Sequence, residues 1–339
     1  MSVNVRIKQE KKIFKKPIDI FKMCELWQET CVNKDDSNCL PMVGVQDGYF
    51  RIISEFFVQN HENRAKRLNI LSQSRNFVLF DRNNLNRGIS LCFDGYDILL
   101  KLNYPSTLSE IKSFYSLIQK VCKNIDKDTF YRDDKDGYHL VNLNELDQFV
   151  KGDYLFSYDL LKQSLNNKTI CIFCVVNPVR MSSKELESIG LGQTNNDSNE
   201  TVDLVMNNYE HYLNELQSKN LYYATFSCYR KNEDIVFGIL PLPTDCETII
   251  PLNPADEFTL FKSANPSLFN CDRINEFYMG ISYNDTFYQI KYSDFISDIN
   301  NQKLNYYDAT HIIVKYDNSK IKDLVEKYGI SIDDFNNQN

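Results

Sequence analysis

The sequence predicts an α+β protein whose mainly antiparallel sheets are built from hairpins and covered by amphipathic helices. Two short turns support this: Asp94-Gly95 separates ISLCF from YDILLKL, and Asn284-Asp285 separates EFYMGISY from FYQIKY. Short turns between β-rich segments indicate hairpins. Apolar residues then recur at helical spacing between Leu108 and Cys122. Because hairpins outnumber strand-helix-strand crossovers along the chain, the pairing is expected to be antiparallel.

Local patterns predict the N-terminal elements. Apolar and polar residues alternate from Val3 to Lys11, which predicts a half-buried strand, and the lysines at its end favour a sheet edge. Asp19 is expected to cap a helix that includes Trp27. A loop at residues 33–41 and a strand at 49–58 come next.

The segment from Ile89 to Ile125 is predicted as strand, strand, helix. An Asp-Gly pair between strands is typical of a type I′ turn with Asp94 and Gly95 at its centre, both with positive φ. Thr107 and Glu110 have the spacing of a capping box, so we expect a helix to begin there.

Residues 129–200 contain shorter elements. We predict strands at 129–132 and just after the turn DDKDG, separate helices at 143–150 and 154–165, and a continuous, fully covered strand at 169–176. Ser182 and Glu185 form a second capping box, and residues 190–200 read as a loop.

The remaining pattern predicts a helix at 205–216, an antiparallel pair formed by YYATFSCYR and IVFGIL, a helix near Ser293 and a strand at 309–315. Asp317 is expected to cap the last helix and Gly329 to end it.

The domain organisation follows from length and connection. The chain has 339 residues, enough for one large domain or two ordinary ones. We expect an N-terminal half at 1–165, a C-terminal half at 166–330 that meets it near Asn166, and a polar tail at 331–339. One continuous domain is the alternative.

Charge and cysteine usage indicate the compartment. The chain has 38 Lys and Arg against 46 Asp and Glu, a net charge of −8, so nucleic-acid binding is disfavoured. The cations near the N-terminus are read as a solvated strand edge. No export signal or apolar span of bilayer length is visible. The ten cysteines are scattered singly, as reduced thiols are, so we expect a cytoplasmic protein. We also expect a monomer or a weak oligomer.

Motifs with a known mechanism fail on spacing or placement. Cys171 and Cys174 have the spacing of a redox or zinc pair, but in a strand they would face opposite sides. The loop that begins at Asp133 lacks the glycine and glutamate positions of a calcium loop, and Gly190-Leu-Gly192 lacks the third glycine of a dinucleotide site. The sequence therefore indicates no metal and no cofactor, and it leaves any catalytic residues unknown.

Several longer phrases resemble a family of uncharacterised bacterial proteins, the Domain of Unknown Function family 4299. These phrases are GYDILLKLNYPSTLSEIKSFYSLIQKVCKNIDKDTFYRD, FSCYRKNEDIVFGILPLPTDCETIIPLNP, YMGISYNDTFYQIKYSDF and YDATHIIVKY. The resemblance extends over most of the chain. It implies a soluble bacterial protein without an assigned activity, and it supplies no functional residue.

The failed motifs favour a non-enzymatic binding or interaction protein. Its expected partner is an unidentified protein, and no membrane association is expected. The alternative is a hydrolase or transferase whose site is assembled from separate segments. For that alternative, His139, Asp133 and the region of Cys228 are the places to examine.

Overall fold

The computed structural model describes residues 1–10, 17–32, 41–47, 51–57, 73–134, 137–166, 169–192, 198–230, 236–264, 271–300 and 303–337. These residues form two compact units, unit 1 (Met1–Ser218) and unit 2 (Lys219–Asn339). Helices and mainly antiparallel sheets occur in both, so the predicted α+β class is confirmed.

Unit 1 contains a large sheet, a small sheet and helices. Its strands are β1 (Ser2–Ile7), β2 (Pro41–Asp47), β3 (Arg51–Phe57), β4 (Asn76–Asp81), β5 (Asn84–Asp94), β6 (Asp97–Asn103), β7 (Thr129–Asp134), β8 (Gly137–Asn142), β9 (Ile170–Ile172) and β10 (Val179–Met181). Its helices are α1 (Ile20–Val32), α2 (Leu108–Asn124), α3 (Leu146–Ser164), α4 (Ser183–Ser188) and α5 (Asn199–Gln217). The large sheet has the order β3-β2-β4-β5-β6-β1-β7-β8, and β9 pairs with β10 alone.

One face of the large sheet is buried and the other is more polar. Val5 of β1, Leu100 of β6 and Leu91 of β5 lie on the buried face and are at most 1% exposed. Helix α2 contacts β5 and contributes Phe114 and Ile118, both fully buried. Burial of this apolar face is the main stabilising term for unit 1.

Strand β1 lies inside the sheet, so the predicted edge position is wrong. It pairs antiparallel with β6 on one side and with β7 on the other. The reason is tertiary: the β7–β8 hairpin, more than a hundred residues later, adds to the side of β1 that its own sequence leaves open. The lysines at 11–16 lie outside the described residues.

The first hairpin turn is displaced by one residue from its prediction. Asp94 pairs with Asp97, so Gly95 and Tyr96 form the two-residue loop. Gly95 has φ 63°, whereas neither Asp94 nor Tyr96 has a positive φ. A positive φ at the first loop residue alone is typical of a type II′ turn, and the predicted type I′ turn is wrong.

Three further predictions in unit 1 need correction or completion. Helix α3 is continuous through Gly152, because a single glycine in a helix costs only about 1 kcal/mol. Strand β9 has three residues and ends at Ile172, so the predicted long strand at 169–176 is wrong. The capping boxes at Thr107 and Ser182 are both confirmed. The loop predicted at 33–41 lies almost wholly outside the described residues.

The predicted boundary near Asn166 falls inside unit 1. Residues after it belong with the large sheet: the Val175 N–H donates to the Asn86 carbonyl (2.7 Å), and α5 contacts β5. These contacts place the division of the described chain after Ser218. The division into halves at 1–165 and 166–330 stays a prediction.

Unit 2 contains two sheets with helices. Its strands are β11 (Tyr222–Tyr223), β12 (Ser227–Arg230), β13 (Val236–Pro241), β14 (Thr248–Pro251), β15 (Glu276–Tyr283), β16 (Thr286–Lys291), β17 (His311–Val314) and β18 (Ile330–Ser331). Its helices are α6 (Pro254–Ala264), α7 (Tyr292–Ile299), α8 (Asn318–Tyr328) and α9 (Ile332–Asn337). The sheets have the orders β12-β13-β15-β16-β18 and β11-β14-β17, and the pairs β13–β15 and β11–β14 are parallel.

Local predictions in unit 2 are mostly confirmed. Asn284 and Asp285 have φ of 49° and 58°, as the hairpin turn requires. The Asp317 side chain accepts the Lys320 N–H and caps α8. The segment YYATFSCYR was predicted as one strand, but it forms β11 and β12 in different sheets. The predicted polar tail is largely helix α9, because Phe335 packs edge-on against Phe237.

Candidate ligand-binding site

The polar face of the large sheet in unit 1 carries a row of aligned side chains. Val78, Ser90, Lys101 and Asn4 are register partners on the neighbouring strands β4, β5, β6 and β1. Alternate residues of a strand point to opposite faces, so these four share the face opposite the buried core. Lys101 is half-buried there.

The segment between β9 and β10 covers one end of this face. Val175 is held by its hydrogen bond to Asn86 and packs with Met42, Val78 and Phe80. A pocket of about 340 Å³ lies between the segment and the sheet. We call it the sheet-face pocket. It is lined by Asn4, Asn76, Val78, Arg87, Ser90, Leu91, Cys92, Leu99, Leu100, Lys101, Asn103, Tyr138, Phe173, Cys174, Val175 and Pro178.

A glycine permits this close approach of the covering segment. Gly88 has φ +73°, and a Cβ on it would lie 2.6 Å from Val78 Cγ1 and 3.1 Å from Val175 Cγ2. A non-glycine residue would therefore be strained and would push the cover away from the sheet.

A buried carboxylate fixes the backbone beside Gly88. Glu110 Oε1 accepts the N–H groups of Arg87 (2.6 Å) and Gly88 (2.7 Å), and Oε2 accepts that of Thr107. Burial raises the pKa of Glu110 to about 7, although these backbone donors act in the opposite direction. The Arg87 guanidinium donates from one terminal nitrogen to the Tyr104 carbonyl (2.6 Å), so its position is fixed as well.

The pocket is cationic although the chain is acidic. Arg87 and Lys101 line it, and none of its lining residues is an Asp or Glu. Two acids on the same face of the sheet are already paired. Asp133 accepts the backbone N–H and a side-chain amide N–H of Asn4, and Asp97 pairs with Arg6 at 2.7 Å. Within the described chain Lys101 has no acidic partner.

The Cys174 thiol beside the pocket is a poor nucleophile. Cys174 is half-buried, and burial raises the pKa of its thiol well above the usual range. A protonated thiol neither attacks an electrophile nor binds a metal ion. The pocket can hold an anion by charge and hydrogen bonds, but its side chains do not form a nucleophile-base pair.

A second cluster of charged groups lies in unit 2, around His311 at the start of β17. His311 Nδ1 is 2.9 Å from Asp308 Oδ1, and Nε2 is 3.4 Å from Glu257 Oε2. The Tyr223 hydroxyl donates to Glu257 Oε1 (2.6 Å) and lies 2.9 Å from His311 Nε2. We call these four residues the His311 cluster.

The imidazole of the His311 cluster is charged and enclosed. Burial lowers the pKa of His311, but its hydrogen bonds and charge interactions with Asp308 and Glu257 outweigh burial and raise the pKa to about 9. His311 is 0% exposed, and both carboxylates are buried. A buried cation between two carboxylates joins α6, β17 and the turn before it, so loss of one member would leave a buried charge uncompensated.

The residues named for the enzymatic alternative are not brought together. Asp133 lies opposite Tyr138 and His139 lies opposite Arg132, so Asp133 and His139 point to opposite faces of the sheet. Cys228 is half-buried on β12 in unit 2. Sequence reasoning also did not single out Arg87, Lys101 or the His311 cluster. The alternation in YDILLKL was the available signal for Lys101, because it places Lys101 on the face opposite Leu100.

The described residues contain neither a metal-type cluster nor a membrane-spanning helix. No group of three His, Cys, Asp or Glu side chains in that part of the chain is arranged to hold a metal ion. None of the helices described combines the length and apolarity that crossing a membrane requires.

Comparison with known families gives one result. A family model described as Domain of unknown function (DUF4299) matches residues 2–324. The chain belongs to this family. The match extends over nearly the whole sequence and confirms the predicted resemblance to DUF4299. No curated protein and no solved structure matches the chain. Membership in DUF4299 assigns no activity to the chain.

Proposed function

We propose that this DUF4299 protein binds a small anionic molecule in the sheet-face pocket, without catalysing a reaction on it. One observation carries the proposal: Arg87 and Lys101 line a pocket without a lining carboxylate, in a chain of net charge −8. A cation whose charge is not balanced within the protein attracts an anionic ligand.

The volume and walls of the pocket support a small organic ligand. About 340 Å³ is near the lower end of the range of roughly 300–1,000 Å³ for small-molecule sites. Val78, Leu99, Phe173 and Pro178 provide an apolar wall, while Asn76, Asn103 and Ser90 provide hydrogen-bonding groups. We therefore propose a ligand with a carboxylate or phosphate group and a short apolar body.

Binding without chemistry agrees with the titratable groups present. General acid-base catalysis needs a group whose pKa lies near the working pH, most often a histidine or a carboxylate. The lining contains neither type, and the nearby Glu110 carboxylate is occupied by the backbone N–H groups of Arg87, Gly88 and Thr107. We further propose a cytoplasmic location, supported by nine described cysteines that are all free thiols.

Calorimetric titration tests the proposal with a graded series of short-chain carboxylates and their phosphate analogues. Lys101→Gln removes one charge and keeps the side chain's approximate length, so we expect the best ligand to bind about tenfold more weakly. Lys112→Gln is the matched control, because Lys112 is an exposed lysine on α2 outside the pocket. It is expected to leave affinity unchanged.

A second variant separates charge from space. Ser90→Phe places a ring inside the pocket and leaves both cations in position, so we expect it to abolish binding of ligands with an apolar body. The proposal is wrong if no anion of the series binds, or if Lys101→Gln and Ser90→Phe both bind as tightly as the wild type.

A further inference from the structure

Three lysines line a small hollow in unit 2, apart from the His311 cluster. Lys303 lies before β17, Lys315 directly follows it, and Lys320 is in the first turn of α8. The hollow encloses about 120 Å³. Its other lining residues are Ile299, Leu304, Asn305, Ile312, Ile313, Val314 and Tyr316. We call it the lysine hollow.

Hydrogen bonds fix the three segments that bring these lysines together. The Ile313 N–H donates to the Asn305 carbonyl (2.7 Å), which holds the segment of Lys303 against β17. The Asp245 N–H donates to the Tyr316 carbonyl (2.8 Å), next to Lys315. Asp317 accepts the Lys320 N–H at 2.9 Å. The backbone next to each of the three lysines is therefore held in place.

The acids near the lysine hollow are engaged elsewhere. Its lining contains no Asp or Glu. The Asp317 carboxylate caps α8. Asp298 pairs with Lys327 at 2.9 Å. Burial and, to a smaller extent, the charge of Asp298 raise the pKa of Tyr316. Among the described residues, Lys303, Lys315 and Lys320 have no ion-pair partner.

Three lysines that line one hollow without a lining carboxylate favour an anion there. Lysine is a flexible point charge with three donors, which suits the oxygens of a phosphate group. A volume of about 120 Å³ corresponds to about four water molecules, which is enough for one tetrahedral oxyanion.

We propose that the lysine hollow binds a single phosphate-sized oxyanion. The site is separate from the sheet-face pocket, because all of its lining residues belong to unit 2. This proposal does not depend on the proposed function.

Lysine acetylation of the full chain, read by mass spectrometry, tests the site directly. Inorganic phosphate is compared with chloride at equal ionic strength. We expect phosphate to slow acetylation of Lys303, Lys315 and Lys320 several-fold. Lys322 is the internal control, because it lies on the same helix and pairs with Glu326 at 3.7 Å. It should react at the same rate in both salts.

Two variants then distinguish this site from the sheet-face pocket. Lys315→Gln should raise the phosphate concentration that half-protects Lys303 and Lys320 about tenfold, whereas Lys322→Gln should not change that concentration. Lys101→Gln, which tests the sheet-face pocket, should also leave this protection intact. Equal slowing at all exposed lysines, or no slowing at any of the three, would overturn the proposal. Loss of protection in Lys101→Gln would do so as well.

Discussion

The sheet-face pocket of unit 1 and the His311 cluster of unit 2 both contain cationic side chains, but only the cluster surrounds its cation with carboxylates. The His311 imidazole is fully buried and has a carboxylate on each side. Arg87 and Lys101 line an open pocket without a carboxylate among its lining residues. The difference teaches that a paired, buried charge indicates structure, whereas an unbalanced charge beside a cavity indicates a ligand.

The energetic reason lies in desolvation. A charge removed from water must recover its hydration from partners inside the protein, and loss of one partner leaves the others uncompensated. A charge that lines an open pocket keeps contact with water, so it needs no internal partner and remains available to a ligand. Variants in the two regions are therefore expected to affect different properties.

The largest expected effect is on stability, from His311→Ala. Removal of the imidazole leaves the buried carboxylates of Glu257 and Asp308 without the cation between them. We expect the free energy of unfolding at neutral pH to fall by about 3–5 kcal/mol. Urea denaturation followed by tyrosine fluorescence measures it. His211→Ala, at an exposed position on α5, is the control and should change stability by less than about 0.5 kcal/mol.

The same cluster predicts a pH dependence. The pKa of His311 is about 9 in the folded state, above its ordinary value of 6.5. Its stabilising contribution is therefore complete below about pH 6.5 and is lost as the pH rises through 9. We expect a loss on the order of a few kcal/mol across this range in the wild type, and no such component in His311→Ala. Parallel slopes for the two proteins would contradict a structural, charged His311.

A smaller effect tests how the pocket is built. Gly88→Ala must adopt a positive φ and also place Cβ against Val78, whereas Gly95→Ala has a positive φ with open space around it. We expect Gly95→Ala to cost about 1–2 kcal/mol and Gly88→Ala at least about 1 kcal/mol more. Thermal unfolding of the two variants measures the difference. Equal losses would mean that the covering segment does not depend on close contact at Gly88.

The smallest expected effect sharpens the comparison most. Lys101→Gln should change the free energy of unfolding by no more than about 0.5 kcal/mol, because Lys101 has no acidic partner among the described residues. The same variant is expected to weaken ligand binding. If it instead destabilises the protein as His311→Ala does, Lys101 belongs to a structural network and the contrast between the two regions is wrong.

Several predictions that depend on a few neighbouring residues agree with the structure, although the type I′ turn predicted at Asp94-Gly95 does not. The capping box of Thr107 and Glu110, the cap at Asp317 and the turn at Asn284-Asp285 all form as expected. Each is decided by hydrogen bonds or backbone angles within about four residues, so the sequence contains the whole cause.

Predictions that depend on distant segments fail more often. Strand β1 was assigned to an edge, but β7 pairs with its open side. The apolar stretch at 169–176 was assigned to a buried strand, but after Ile172 the chain turns to cover the polar face of the sheet. Apolar residues that pack over a sheet and apolar residues within one have the same local pattern, so periodicity alone does not separate them.

The candidate site shows the same division. The alternation in β6 determines that Lys101 and Leu100 face opposite sides, which is a property of the strand itself. The pocket requires β4, β5, β6 and β1 in register and the 173–178 segment above them. Sequence therefore determined the class, the family, the turn at Asn284-Asp285 and the helix caps. Tertiary structure alone decided which charges are paired and which face a cavity, because pairing depends on distances between residues far apart in the chain.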